Sequence, residues 1–93
     1  MKSKFVSDYK FMYSEELLKK LLKKYNEEYD FLYDNDNNVS GYDEAVEAYE
    51  NDIKDEKFSD LVSDFVQYTG DYITSDRECA AFEFACESLG LFE

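Results

Sequence analysis

One stretch constrains the fold of this chain more than any other: Ser75 to Leu91, S-D-R-E-C-A-A-F-E-F-A-C-E-S-L-G-L. Ser75 followed by Glu78 has the spacing of a capping box, in which the hydroxyl and the carboxylate each satisfy a backbone N–H at a helix start. Gly90 supplies the left-handed residue that ends a helix, and Leu91 is placed to fold back as its apolar partner. Between these signals Cys79, Phe82, Cys86 and Leu89 recur on one helical face, and Ala80, Ala81, Phe84 and Ala85 spread apolar surface around most of the rest. A helix apolar nearly all round is a buried one. The stretch therefore predicts a central C-terminal helix against which the other segments pack. Glu83, between Phe82 and Phe84, is expected at its edge with the carboxylate reaching water.

The other segments read as helices too. Ser14 is a good N-cap with Glu15 and Glu16 in the first turn, where the helix dipole favours anions. Leu18, Leu21, Leu22, Tyr25, Tyr29 and Leu32 then form an apolar stripe, with Lys19, Lys20, Lys23 and Lys24 on the solvated side, predicting a helix of about 15–19 residues. Asp34 to Asn38 is a polar break. From about Tyr42 a second stripe follows, Tyr42, Ala45, Val46, Tyr49 and Ile53. From about Lys57 to Thr69 comes a third, Phe58, Leu61, Val62, Phe65 and Thr69, stopped by Gly70. Residues 2–13 fit either a helix or a strand, and helix is the preferred reading because no hairpin partner lies nearby. Proline is absent and glycine occurs three times in 93 residues. The expectation is an all-α fold: a single domain, residues 1–93, forming a small bundle of four to five helices around the buried C-terminal helix.

Composition also narrows the chemistry. There is no histidine, so the usual general base and the usual metal ligand are both missing. No glycine-rich loop cradles phosphate, and no Ser or Cys sits in a nucleophile motif. The reading is of a protein that is not an enzyme, with no catalytic residue and no cofactor. Cys79 and Cys86 stand seven residues apart on one predicted helix, ~10 Å along its axis, too far for a disulfide. They read as small core residues in a reducing compartment. No apolar run approaches a membrane span, and the N-terminus lacks the apolar core of a secretory signal. One metal pattern stands out. Asp36-x-Asn38-x-Ser40-Gly41-x₅-Glu47 matches the calcium-loop spacing of an EF-hand. The aliphatic position of that loop is occupied by Asp43, however, and no second hand is visible. The preferred reading is a polar turn with Ser40 starting the second helix, and no metal site.

Charge is the strongest global feature, and it is unevenly placed. The net charge is −13. Residues 1–24 carry seven lysines against three acids, whereas residues 25–93 carry three bases, Lys54, Lys57 and Arg77, against twenty acids, a local net of −17. Such an excess opposes compaction. It repels nucleic acid and anionic membrane, and it attracts a basic protein surface. Carboxylates four residues apart on a helix lie ~6 Å apart along the axis, as do Asp43 and Glu47, or Asp60 and Asp64. Duplex DNA presents about one charge per 1.7 Å of axis, and two or three acidic helices on one rigid body approximate such a line. The candidate surface comprises Asp43, Glu44, Glu47, Glu50, Asp55, Asp60, Asp64 and Asp71, read as projecting from two neighbouring helices. Exposed tyrosines such as Tyr33 or Tyr68 would add contact area.

In size, acidity, tyrosine content and scarcity of proline, with acidic helices over Asp43–Asp55 and Asp60–Asp71, the chain resembles the phage-encoded DNA-mimic anti-restriction proteins, of the Arn type from T4-like phages and ocr-like in character. The likeness covers residues 34–76. It implies an inhibitor in the host cytoplasm that occupies the basic DNA-binding site of a restriction nuclease or nucleoid-associated protein. It also implies no direct contact with nucleic acid or membrane, and a homodimer that lengthens the mimicked duplex. The basic segment Lys19–Lys24 departs from a uniformly acidic mimic. Two other readings remain open: an acidic immunity protein that neutralises one nuclease toxin, and a single EF-hand-like calcium-binding protein.

Overall fold

The computed structural model describes Phe5 and residues 14–92. Four α-helices follow one another: α1 (Ser14–Asp34), α2 (Tyr42–Asp52), α3 (Glu56–Thr69) and α4 (Asp76–Ser88). The fold is all-α, as the periodicity predicts. Among the described residues the β structure is one isolated antiparallel bridge between Phe5 and Phe92. The helix-or-strand reading of residues 2–13 lies, apart from Phe5, outside the described residues.

The punctuation read from the sequence sets the helix ends. At the start of α4 the Ser75 hydroxyl accepts from the Glu78 N–H at 3.2 Å, and Glu78 Oε1 accepts from the Ser75 N–H at 2.9 Å and the Thr74 N–H at 3.0 Å. At its end the Leu91 N–H reaches back to the Cys86 carbonyl and the Gly90 N–H to that of Glu87, at 3.0 and 3.1 Å. This is the paired closure of a Schellman motif, with Gly90 in the left-handed region at φ 74°. Leu91, folded back as expected, is buried.

α1 runs 21 residues, slightly longer than expected. It closes in the same way, with the Asn37 N–H on the Leu32 carbonyl at 2.8 Å and the Asp36 N–H on that of Tyr33 at 3.2 Å. Here the left-handed position is held by Asp36 at φ 51°, followed by Asn37 at φ 63°. Short polar side chains tolerate that conformation better than others do. The polar break is thus a helix cap. α2 begins behind Gly41, itself at φ 84° with no side-chain cap. Ser40, expected to start that helix, does not cap it. A three-residue turn leads from α2 to α3, whose N-cap is Asp55: its Oδ1 accepts from the N–H groups of Lys57 and Phe58 at 2.8 and 3.4 Å.

α4 is the centre of the packing, lying along α1 on one side and α2 on the other, while α3 lies along α1. Phe82 is fully buried, with ring centroids 5.1 Å from Phe65, 5.7 Å from Phe58, 6.1 Å from Tyr49 and 6.5 Å from Tyr25. These rings meet edge to face, the arrangement their quadrupoles favour. Leu17 and Leu21 of α1, Leu61 of α3 and Cys86 complete this cluster. A second, smaller cluster joins Leu32, Ala45, Ala80 and Ala81, where alanines let α1 and α2 approach α4 closely. Phe5 is also buried, its ring 5.2 Å from Phe58 and 5.7 Å from Phe92. Phe5 is therefore part of the core and not of a surface available to a second copy.

Candidate functional site

The eight carboxylates singled out from the sequence separate into three groups. Asp43, Glu44, Glu47 and Glu50 are all exposed on α2. Their burial pattern follows from the inward face of that helix, where Ala45, Tyr49 and Asp52 are buried. None of the four pairs with a cation among the described residues, where Lys24 and Glu27 form an ion pair at 3.4 Å. Asp55 is exposed but employed, since its carboxylate caps α3. Asp71 is exposed in the α3–α4 connection, just past the Gly70 stop.

Asp60 and Asp64 depart from expectation. Both are half-buried on α3 and both engage neighbouring groups. The sequence reading gave α3 too narrow an inward face. The fully buried Phe58, Leu61 and Phe65 draw the flanking positions 60 and 64 partly under cover. α2 lies along α4, whereas α3 lies along α1 and also meets α2 and α4 through the rings of Phe58 and Phe65. Asp43, Glu44, Glu47 and Glu50 stand on α2, Asp55 precedes α3 and Asp71 follows it.

Sequence reasoning missed part of the acidic architecture. Glu83 is buried at 7% exposure, not held in water at a helix edge, because α4 is flanked by α1 and α2 and only a narrow strip of it meets solvent. Asp52 is likewise buried at 8%. A groove of about 730 Å³ runs between α2 and α4. Glu44 and Glu47 border it from α2, and Glu83 and Glu87 from α4; Ala45, Ala48, Phe84 and Phe92 supply apolar lining.

Opposite charge is used sparingly. Arg77 Nε donates to Asn37 Oδ1 at 2.8 Å, and its guanidinium carbon stands 4.9 Å from the ring centre of Tyr33 and 5.8 Å from that of Tyr29. The cation thus sits beside the C-terminal end of α1, where carbonyl dipoles favour positive charge. Tyr33, at 61% exposed, and Tyr68, at 39%, remain available for contact as the sequence suggested, and Tyr72 and Phe31 join them.

Ionisation follows the same geometry. Burial opposes the charge of Glu78, but hydrogen bonds from the Ser75 and Thr74 backbones and hydroxyls outweigh it, holding this carboxyl below its ordinary range. Burial, reinforced by Asp76, Glu50 and Glu78, pushes the Cys79 thiol up to about 11. Burial raises Cys86 further and, together with nearby acids and thiols, raises the phenols of Tyr25 and Tyr49. Both thiols are free, and neither is activated as a nucleophile would be.

The calcium-loop pattern spans the α1–α2 connection. Asp36 closes α1, Gly41 precedes α2 and Glu47 lies within α2. Among the described residues no group of three or more His, Cys, Asp or Glu gathers in a way that could hold a metal ion. No helix of the described residues is long and apolar enough to cross a membrane. Comparison of the chain with family models, curated proteins and solved structures gave no match.

Proposed function

We propose that this protein acts as a DNA mimic: it occupies the basic DNA-binding site of a host defence or nucleoid-associated protein and displaces DNA from it. The observation that carries this reading is the array Asp43, Glu44, Glu47 and Glu50. Four exposed carboxylates without cationic partners among the described residues stand on one helix, which is anchored by the buried Ala45 and Tyr49. Their order is fixed before binding, so little conformational freedom is lost on association. A basic groove that meets them releases its bound anions, as it does when it meets phosphates. In this reading the protein works in the host cytoplasm, needs no cofactor, and contacts neither nucleic acid nor membrane directly. A homodimer would lengthen the acidic array, through a surface other than the buried Phe5.

The test is displacement of duplex DNA from a nucleoid-associated protein, read by gel shift. The triple variant Asp43→Asn/Glu47→Gln/Glu50→Gln is expected to lose at least tenfold in inhibitory potency with unchanged helical circular dichroism. Asp60 and Asp64, being half-buried, are unsuitable for this purpose. Undiminished displacement by the triple variant would reduce the α2 array to a solubilising coat.

A further inference from the structure

We infer that the groove between α2 and α4 is a receptor for an arginine side chain of the basic partner. The inference rests on the proposed function only in taking that partner to be basic; the groove shares Glu44 and Glu47 with the α2 array and adds Glu83 and Glu87 of α4. Three properties of the groove select this occupant.

The first is charge. Glu44 and Glu47 stand ~4.5 Å apart along α2, and Glu83 and Glu87 ~6 Å apart along α4, by the helical rise. Carboxylates thus border the groove from both helices, and among the described residues that line it there is no lysine or arginine. An entering cation meets acids from two sides, which a convex acidic surface cannot offer. The second property is the lining between them. Ala45, Ala48, Phe84 and Phe92 present apolar surface, on which an arginine can lay its aliphatic stem while its head reaches the carboxylates. A small hydrated cation would leave that surface unused. The third is shape and chemistry of the head group. A guanidinium is planar, weakly hydrated, able to bond a carboxylate through two parallel N–H groups, and attracted to aromatic rings; an ammonium is a compact, strongly hydrated point charge. The half-buried Phe84 gives the groove an aromatic wall that favours the first over the second. The cavity, at about 730 Å³, also has room for more than one side chain, so the arginine enters with its flanking residues.

The rest of the surface separates this site from general acidity. Asp43 and Glu50 sit on the same helix as Glu44, carry the same charge, and lie outside the groove lining. Arginine is enriched among the residues that dominate binding energy at interfaces, particularly where it enters a pocket. A protein that presents both an acidic flank and an arginine pocket engages a DNA-binding surface twice: by long-range attraction, and by one seated anchor.

The experiment uses the full chain and a fluorescent nona-arginine peptide, with nona-lysine of equal charge as comparator, followed by anisotropy at two salt concentrations. Glu44→Gln/Glu87→Gln should weaken nona-arginine binding about tenfold, whereas Asp43→Asn/Glu50→Gln, which removes the same charge, should weaken it less than threefold. Ala48→Phe, which narrows the groove without altering charge, should weaken nona-arginine binding as the groove pair does. Amide shifts on titration should concentrate on residues 44–51 and 83–87. Thermal melts identify any variant that fails to fold, and the two charge pairs, both at exposed positions, keep the comparison interpretable if Ala48→Phe is lost. Equal weakening by both charge pairs, or nona-lysine bound as tightly and lost in parallel, would overturn the arginine site while leaving the mimic reading intact. Groove-specific peptide binding without any displacement of DNA would uphold the site and reject the mimic reading.

Discussion

Removing the ring of Phe82 should cost this fold more than any other single truncation. The side chain is 0% exposed and lies within ring-contact range of Tyr25, Tyr49, Phe58 and Phe65, which come from α1, α2 and α3. Truncating a fully buried phenylalanine to alanine costs about 3–5 kcal/mol, the spread reflecting how far the cavity collapses. Collapse is hindered here, because the neighbouring rings belong to three helices with their own packing. The upper half of that range is therefore expected. A domain of this length has a total stability of roughly 5–14 kcal/mol, so Phe82→Ala removes at least roughly 30% of it. The assay is urea unfolding followed by circular dichroism at the helical band, with the midpoint and slope fitted together. Tyr72→Ala is the control, since Tyr72 is 77% exposed and surface substitutions usually stay within about 0.5 kcal/mol. A Phe82→Ala loss below about 1 kcal/mol, with an unchanged slope, would refute the central placement of α4.

Further perturbations probe single links of the account. Asp55→Ala removes the acceptor at the start of α3 and should cost about 1 kcal/mol, measured by the same unfolding assay; no change would mean that the cap is replaceable by water. Asp36→Gly relieves a left-handed residue at the end of α1 and should be neutral or stabilising by a few tenths of a kcal/mol, roughly, whereas a clear loss would show the Asp36 side chain to be needed there. The lowered carboxyl of Glu78 stabilises the fold above the ordinary carboxylate range and ceases to do so as pH falls through its lowered value. The stability gap between the parent and Glu78→Gln should accordingly be full at neutral pH and shrink in acid. At the other extreme the folded chain keeps Cys79 protonated up to about 11 while the unfolded chain ionises it near 9.0. Stability should fall as pH rises through that window, with the raised phenols of Tyr25 and Tyr49 adding to the fall above pH 10; a flat alkaline limb would contradict their burial.

How much of this was legible in the sequence depends on whether a feature is local. The Ser75–Glu78 box and the Gly90–Leu91 closure are complete within a few residues, and both form as read. The apolar stripes locate all four helices for the same reason. Side-chain chemistry at a chain reversal was harder: Asp36 takes the left-handed position more often given to glycine, and a calcium-like spacing proved to include a helix cap. The site was less legible still, because exposure depends on which helix packs on which. Asp60 and Asp64 share the spacing of Asp43 and Glu47, yet they lie half-buried on α3 while the α2 pair is exposed. Glu83 carries no sequence signal for burial beyond its two phenylalanine neighbours, and Glu87 none for lining a groove, since both outcomes arise from α2 lying along α4.

The central claim is that an acidic protein surface substitutes for DNA in a basic site. Its most direct measurement is the inhibition constant of this protein against a nucleoid-associated protein bound to duplex DNA, determined with two unrelated DNA sequences across a series of salt concentrations. Competition that is the same for both sequences, and that weakens steeply as salt screens the exposed carboxylates, is the predicted result. A ternary complex in which DNA and this protein are bound together, or inhibition that does not respond to salt, would contradict it.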